Sequence, residues 1–249
     1  MEGGNFFRQS QIIVLGICIA VATIASSVII SSGFLKVMKF TREQISVTGS
    51  ATKEITSDYI VWVGDFSRRE ADLKSAYKAL QEDLNKVRAY LKARGVRDEE
   101  YVVSQVTTET VFKKNEKGND TNDIQGYNLS QNVTVRSHEV DKVTAVSRES
   151  TELIDQGVQF TSQAPEFFYT KLDELKIEML GKATDNARQR AESMVKATGN
   201  RIGFMRSARM GVFQITPVTS TDVSDWGMND TTSLYKKVMS VVTVSFAIE

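Results

Sequence analysis

The sequence predicts an α+β protein: an N-terminal transmembrane helix, then a mixed β-sheet with helices packed on it, in two strand–helix–strand units. Three observations carry that prediction. Residues 12–35 form an uncharged, largely apolar run. Segments such as ISVTGSA alternate with a period of two, the mark of a strand with one covered face. Other segments repeat apolar residues every three or four positions, the stripe of a helix lying on a surface.

The first element is the apolar run. Its 24 residues, Ile12–Leu35, would form a helix of about 36 Å at 1.5 Å per residue. A hydrocarbon core is about 30 Å thick, so the helix can span it with some tilt. A signal-peptide apolar region is only about 7–15 residues. Ala20-Val21-Ala22 is a formal small-x-small match, but cutting there leaves a mature terminus that stays apolar to Leu35. Cys18 follows Ile17, where a lipoprotein signal needs a small residue. The expected organisation is a short tail over 1–11, an uncleaved transmembrane anchor over 12–35, a juxtamembrane linker over 36–42 and one α+β domain over 43–249. A cleaved signal is the alternative.

The elements of the domain follow in order. Ile45, Val47, Gly49 and Ala51 alternate with Ser46, Thr48 and Ser50 as a strand. DYIVWVGDF is apolar on both faces and reads as a central strand covered on both sides. Leu73, Ala76, Tyr77, Leu80, Leu84, Val87 and Leu91 make one helical stripe that Gly95 stops. YVVSQVTTETVF is β-rich, 113–126 reads as a polar hairpin loop, and YNLSQNVTVR alternates again. Ser137 is a candidate cap for a helix carrying Val140, Val143, Val146, Leu153 and Ile154, ended by Gly157.

VQFTSQAPEFFY is a strand in which Pro165 marks an edge or an end. Thr170 and Asp173 have capping-box spacing before the longest helix, which runs to about Thr198. Its inner stripe is Leu172, Leu175, Met179, Ala183, Ala187, Ala191, Met194 and Val195. The alanines Ala183, Ala187 and Ala191 let this helix sit close to a sheet or, alternatively, to another helix. RIGFMRSARMGVFQI is strand-rich, with Gly203 and Gly211 allowing a bulge. Residues 216–237 read as a long polar loop before a last strand with Val238, Val242, Val244, Phe246 and Ile248 on one face.

Composition narrows the function. Thirty-one basic residues balance 31 acidic ones, so there is no footprint for nucleic acid. The sole cysteine, Cys18, lies in the apolar run, which excludes a cysteine nucleophile and thiolate metal sites from the rest. His138 is the sole histidine, at a strand–helix junction where a helix N-terminus disfavours the imidazolium; it reads as a surface or capping residue. No P-loop, GxGxxG or zinc motif occurs. The acidic groups at 119–123 and at Asp222, Asp225 and Asp230 do not follow the EF-hand pattern. The sequons at Asn119, Asn128, Asn132 and Asn229 read as chance matches, two of them inside a strand. No catalytic, cofactor-binding or metal-ligating residue is therefore expected. Trp226, flanked by Asp225 and Gly227 in a polar loop, is the candidate interface residue; the alternative is that it tucks into its own domain.

ISVTGSATKEITSDYIVWVGDF, GYNLSQNVTVR and KATDNARQRAESMVKATGNRIGFMRSARMGVFQI resemble, in this order, the SIMPL-domain (DUF541) proteins. The apolar N-terminus, PEFFYTKLDELKIEML and VSDWGMNDTTSLYKKVMSVVTV resemble the membrane-anchored bacterial branch, and the resemblance covers residues 43–249. It implies an α+β envelope protein that assembles into symmetric homo-oligomers, a ring or a cage. Some relatives are linked to oxidative-stress tolerance, the animal member is a kinase-associated adaptor, and no catalytic residue is agreed for the family. The expected function is a non-enzymatic, membrane-anchored scaffold or adaptor, stress-related, without cofactor. A channel or lipid-handling assembly, or a carboxylate-based or metal-assisted hydrolase, is the alternative. Sidedness divides the signals. Arg8 precedes the anchor while Lys36, Lys39 and Arg42 follow it, which by charge alone puts the domain in the cytoplasm. The resemblance implies the inner membrane with the C-terminal domain periplasmic, and large domains translocate largely regardless of flanking charge.

Overall fold

The computed structural model describes residues 3–249, with side chains over 14–35 and 43–249. Helix α1 (Gly3–Arg42) takes in the expected anchor and both flanks. Within it, Val14–Leu35 is long and apolar enough to cross a membrane, and none of it is buried against protein. The first residues of the expected tail 1–11 lie outside the described residues. So do the side chains of the rest of that tail and of the expected linker 36–42, with Arg8, Lys36, Lys39 and Arg42 among them.

The strands form two sheets. One has the order β1 (Gln44–Thr56), β11 (Tyr235–Ile248), β9 (Gln214–Pro217), β10 (Met228–Asn229), with β8 (Ile202–Met210) also on β11. Its β8–β11 and β9–β11 pairs are antiparallel and β9–β10 is parallel, so the sheet is mixed. The other has the order β3 (Tyr101–Val103), β5 (Asp120–Ser137), β2 (Tyr59–Glu70), β6 (Gln159–Ser162). On it, β4 (Thr107–Lys114) also pairs with β5, and β7 (Glu166–Phe168) with β2. By contacts the residues group into two units: Met1–Ser50, Gly181–Gly211 and Val241–Glu249, and Ala51–Leu180 with Val212–Ser240.

The larger unit is built on β2, the central strand that the sequence predicts. It pairs with β5 along Ile60–Glu70 and with β6 and β7 on its other edge. Ile60, Trp62 and Phe66 are buried with Leu129, Val133 and Val135 of β5 under α2 (Leu73–Ala93) and α3 (Val140–Glu149). The expectation that β2 is covered on both faces is corrected: Val61 and Val63 stay half-buried, because the helices of this unit pack on one face. Pro165 lies in the break between β6, which ends at Ser162, and β7, which starts at Glu166. Asp72 caps α2 by accepting from Ser75 N at 2.9 Å, and Gly95 at φ +75° closes it. On its stripe Leu73 and Tyr77 are exposed, and the buried Asp83 faces inward with Leu80, Leu84 and Val87.

Two further expectations change here. Most of 113–126 is strand, since β4 runs to Lys114 and β5 starts at Asp120. The turn itself is tied by Asn115 Oδ1, which accepts from Lys117 N and Asn119 N at 3.0 Å each, with Gly118 at φ +80°. Polar residues are no bar to pairing in an arm exposed on both faces. The single helix expected over 140–154 is broken into α3 and α4 (Glu152–Asp155). At the break, Ser147 Oγ donates to Thr144 O at 2.8 Å and Ser150 Oγ to Ser147 O at 2.7 Å, side-chain bonds that compete with the helix. Ile154 is consequently exposed. Ser137 Oγ does accept from Glu139 N at 3.0 Å, although Glu139 is itself the N-cap residue.

A second core in this unit joins Ile55, Leu175, Met179, Ile215 and Val238. Leu175 and Met179 belong to the start of α5 (Leu172–Lys196). The expected Thr170–Asp173 capping pair does not form. Instead Thr170 N and Oγ1 donate to the Asp58 carboxylate at 2.7 and 2.8 Å, and Asp173 is exposed.

The smaller unit contains the start of β1, the end of β11, β8 and the end of α5. Antiparallel β1 and β11 face each other at Ser46–Ser245 (3.3 Å) and Thr48–Thr243 (3.1 Å). β8 pairs antiparallel with β11, and the register shifts after Ser245. Val47, Val242, Val244 and Phe246 are buried.

Candidate functional site

Trp226 sits between β9 and β10 with 94% of its surface exposed. The alternative that it tucks into its own domain is therefore overturned. Its loop is held by specific bonds. The buried Gln214 donates through Nε2 to Ser224 O at 2.6 Å and accepts from Ser224 N at 3.3 Å. Lys237 Nζ donates to Ser220 O at 2.7 Å, and Gly227 N donates to Ser224 O at 3.1 Å. Gly227 takes φ +84°, which a side chain would strain, and a Cβ there would lie 2.9 Å from Phe213 O. The indole thus projects from a fixed frame. Asp225 and Val223 beside it are exposed.

The alanine stripe faces a strand. Ala183, Ala187 and Ala191 are fully buried, and Ser50 N donates to Asn186 Oδ1 at 3.2 Å. A Cβ added at Gly49 of β1 would lie 2.2 Å from Ala183 O and 2.3 Å from Ala187 N. Helix and strand main chains therefore touch, which only glycine opposite alanine permits. Met194, expected on this stripe, is exposed; the buried row continues at Val195, four residues after Ala191.

His138 is exposed at the junction of β5 and α3 and lines a cleft of about 610 Å³ with Ser57, Asp58, Glu139, Lys142 and Tyr235. Its Nδ1 lies 2.9 Å from Asp58 O, and a carbonyl only accepts, so Nδ1 donates and the neutral ring keeps its lone pair on Nε2. The Tyr59 ring meets it edge-on at 4.9 Å. A Ser-His-Asp relay orients its histidine with a carboxylate; here the partner is main chain, and the Asp58 carboxylate is engaged by Thr170.

The acidic candidates do not converge. Among the described residues no three His, Cys, Asp or Glu side chains are placed to hold a metal ion. Asp120 and Asp123 lie in β5, Asp222 accepts from Ser220 Oγ at 3.0 Å, and Asp230 accepts from Thr232 N and Oγ1 at 2.8 Å each. Asn128 and Asn132 are paired within β5, as their alternation predicts.

Three buried charges escape a reading by pattern. Asp83 is fully buried and takes a two-pronged contact from Arg68, whose guanidinium also reaches Gly157 O. Lys236 is buried and donates from Nζ to Phe167 O. Burial pushes its pKa down, partly opposed by Asp230 and Glu166. Glu100 is buried against Ser137 Oγ (2.5 Å), Arg97 N (2.9 Å) and Arg97 Nε (3.2 Å). Burial raises its pKa, but the bonds from Arg97 and Ser137, with Lys142 beyond, outweigh it and hold the carboxyl at about 2. A signal for Lys236 was present: it has the same parity as Val238, Val242 and Val244.

No curated protein matches the chain. The family model described as SIMPL, protein of unknown function (DUF541), matches residues 45–246. That span takes in both sheets and the Trp226 loop. The chain therefore belongs to the SIMPL (DUF541) family.

Proposed function

We propose that this protein is a non-enzymatic scaffold of the cell envelope, tethered by α1 and self-associating through the Trp226 loop. The observation that carries the proposal is the 94% exposure of Trp226 on a loop fixed by Gln214 and Gly227. A large aromatic held out rigidly loses little conformational freedom when a partner covers it, which is the physics of an interface anchor. The tether reading is supported by Val14–Leu35, an apolar span unburied by protein. We place the protein in the inner membrane as a single-pass protein with its anchor retained and the domain on the periplasmic side. No residue of the domain is assigned a catalytic role.

Light scattering of detergent-extracted full-length protein tests the assembly. A mass that is a multiple of the 27.8 kDa chain is expected; a monomer at micromolar concentration would remove self-association. For sidedness, Asn119→Cys puts a thiol on the hairpin turn. A membrane-impermeant maleimide should label it in cells whose inner membrane is intact. Labelling only after that membrane is broken would place the domain in the cytoplasm.

A further inference from the structure

The tether between the apolar span and the smaller unit is short. The span ends at Leu35, and α1 runs on to Arg42, about 10 Å further at 1.5 Å per residue. Glu43 follows, and its carbonyl accepts from Ile248 N at 3.2 Å. The next residue, Glu249, exchanges both main-chain bonds with Arg201, at 2.8 Å each. Neighbouring strands lie about 4.8 Å apart, so Arg201 stands about 10 Å to the side of the tether. All of these residues belong to the smaller unit. Headgroups extend about 5–7 Å beyond the hydrocarbon on each face of a bilayer. A spanning α1 therefore holds this end of the unit just above them, across a gap that long basic side chains close. Here a cleft of about 440 Å³ lies between the last turn of α5 and the start of β8. The buried Val195 and half-buried Ile202 give it an apolar floor, and the exposed Glu192, Lys196 and Arg201 line its rim.

We infer that this cleft takes the phosphoethanolamine headgroup of a lipid in the bilayer that α1 crosses. The inference rests on the tether proposed above, not on self-association, and holds for either side of the membrane. Charge selects the headgroup. Lys196 and Arg201 bring two cations to its phosphate. Glu192, which also accepts from Arg188 Nε at 3.0 Å, brings a carboxylate to its ammonium group. The C-terminus of α5, the negative end of the helix dipole, adds to the attraction for that cation. Further acids stand near. Glu43 follows the tether, and a Cβ at Gly203 would lie 2.5 Å from Glu249 Oε1. A field of mixed sign suits a zwitterion and opposes an anionic headgroup. Phosphocholine fits less well, because its trimethylated nitrogen has no N–H to give to Glu192. The tether keeps headgroups at a high effective concentration beside the cleft, so a modest contact suffices.

The experiment uses full-length protein extracted in detergent, stripped of lipid and titrated separately with phosphatidylethanolamine, phosphatidylcholine and phosphatidylglycerol. Native mass spectrometry reads each bound state, and circular dichroism confirms that each variant is folded. Phosphatidylethanolamine should bind about 10-fold tighter than either other lipid, the value of one charge-assisted hydrogen bond. Lys196→Gln combined with Arg201→Gln should weaken it at least ~10-fold. Lipid held by α1 alone would ignore both substitutions. Glu192→Gln should make phosphatidylethanolamine and phosphatidylcholine equal. Equal affinities in the wild type, phosphatidylglycerol binding tightest, or variants that bind as wild type does would overturn the inference. Displacement of the lipid by millimolar O-phosphoethanolamine would assign the cleft to a soluble ligand and also overturn it. The same spectra separate this inference from the tether reading. A chain from membranes that lacks the apolar span would remove both. An intact 27.8 kDa chain without headgroup preference would remove this inference alone.

Discussion

The two units exclude water by different means. Every buried polar or charged side chain among the described residues lies in the larger unit, Asp83, Glu100 and Lys236 included. That unit also holds the large aromatics Trp62 and Phe66. The buried side chains of the smaller unit are Val47, Ala183, Ala187, Ala191, Val195, Val242, Val244, Phe246 and Ala247. In it, stability comes from bringing main chains together, and alanine loses no side-chain entropy in doing so. In the larger unit, stability comes from the area of big side chains and from charges that remain satisfied. Truncation should harm the larger unit, enlargement the smaller, and acid the larger alone.

The largest effect should come from truncating the larger core. Trp62→Ala removes a fully buried ring and the Nε1 bond to Ser162 Oγ at 3.0 Å. The expected loss is about 4 kcal/mol in urea unfolding; a loss under about 1 kcal/mol would mean that the site collapses around the gap. Enlargement comes next. Gly49→Val should cost about 3 kcal/mol, because its Cβ would meet Ala183 O and Ala187 N, which are main chain and cannot swing aside. Valine is otherwise favoured over glycine in a strand, so a Gly49→Val protein as stable as wild type would remove the main-chain contact from this comparison. Ala187→Leu on the opposing helix should act in the same direction.

The smallest of the effects is the acid response. Glu100 is more acidic folded, at about 2, than its ordinary value of 4.5. Its contribution is fully present above pH 4.5 and is lost as the pH falls from there toward 2. The full shift would correspond to about 3.4 kcal/mol, and screening by solvent at the rim of the site lowers the expected loss to roughly 2 kcal/mol. Emission of Trp62, which lies in the same unit, reports it. Glu100→Gln should flatten the pH dependence in that window; an unchanged slope would mean that another carboxylate governs acid sensitivity.

Period carried most of the fold into the sequence. The alternation at Ile45–Ala51, at Tyr127–Val135 and at Val238–Ile248 corresponds to β1, β5 and β11, and the alanine stripe is buried as its i, i+4 spacing requires. What escaped depends on contacts distant in the chain. Lys-Lys at 236–237 reads as loop, yet Lys236 can be buried because Phe167 O, 69 residues earlier, accepts from it. Asp83 looks like a solvated helix residue until Arg68 of β2 is placed against it. The hairpin arm at 113–126 reads as loop because its faces are polar, while its ladder is made by main chain that composition does not encode. The direction of Trp226 is likewise set by Gln214, a residue with no signature of its own in the sequence.

The contact at Gly49 also has a volumetric meaning. Where strand and helix main chains touch there is no void for water to fill when the chain opens, and the volume lost on unfolding scales with such voids. Hydrostatic pressure should therefore find little purchase in the smaller unit. Gly49→Val, by prising α5 off β1, would open gaps around the new side chain and turn a nearly incompressible seam into the most pressure-sensitive place in that unit.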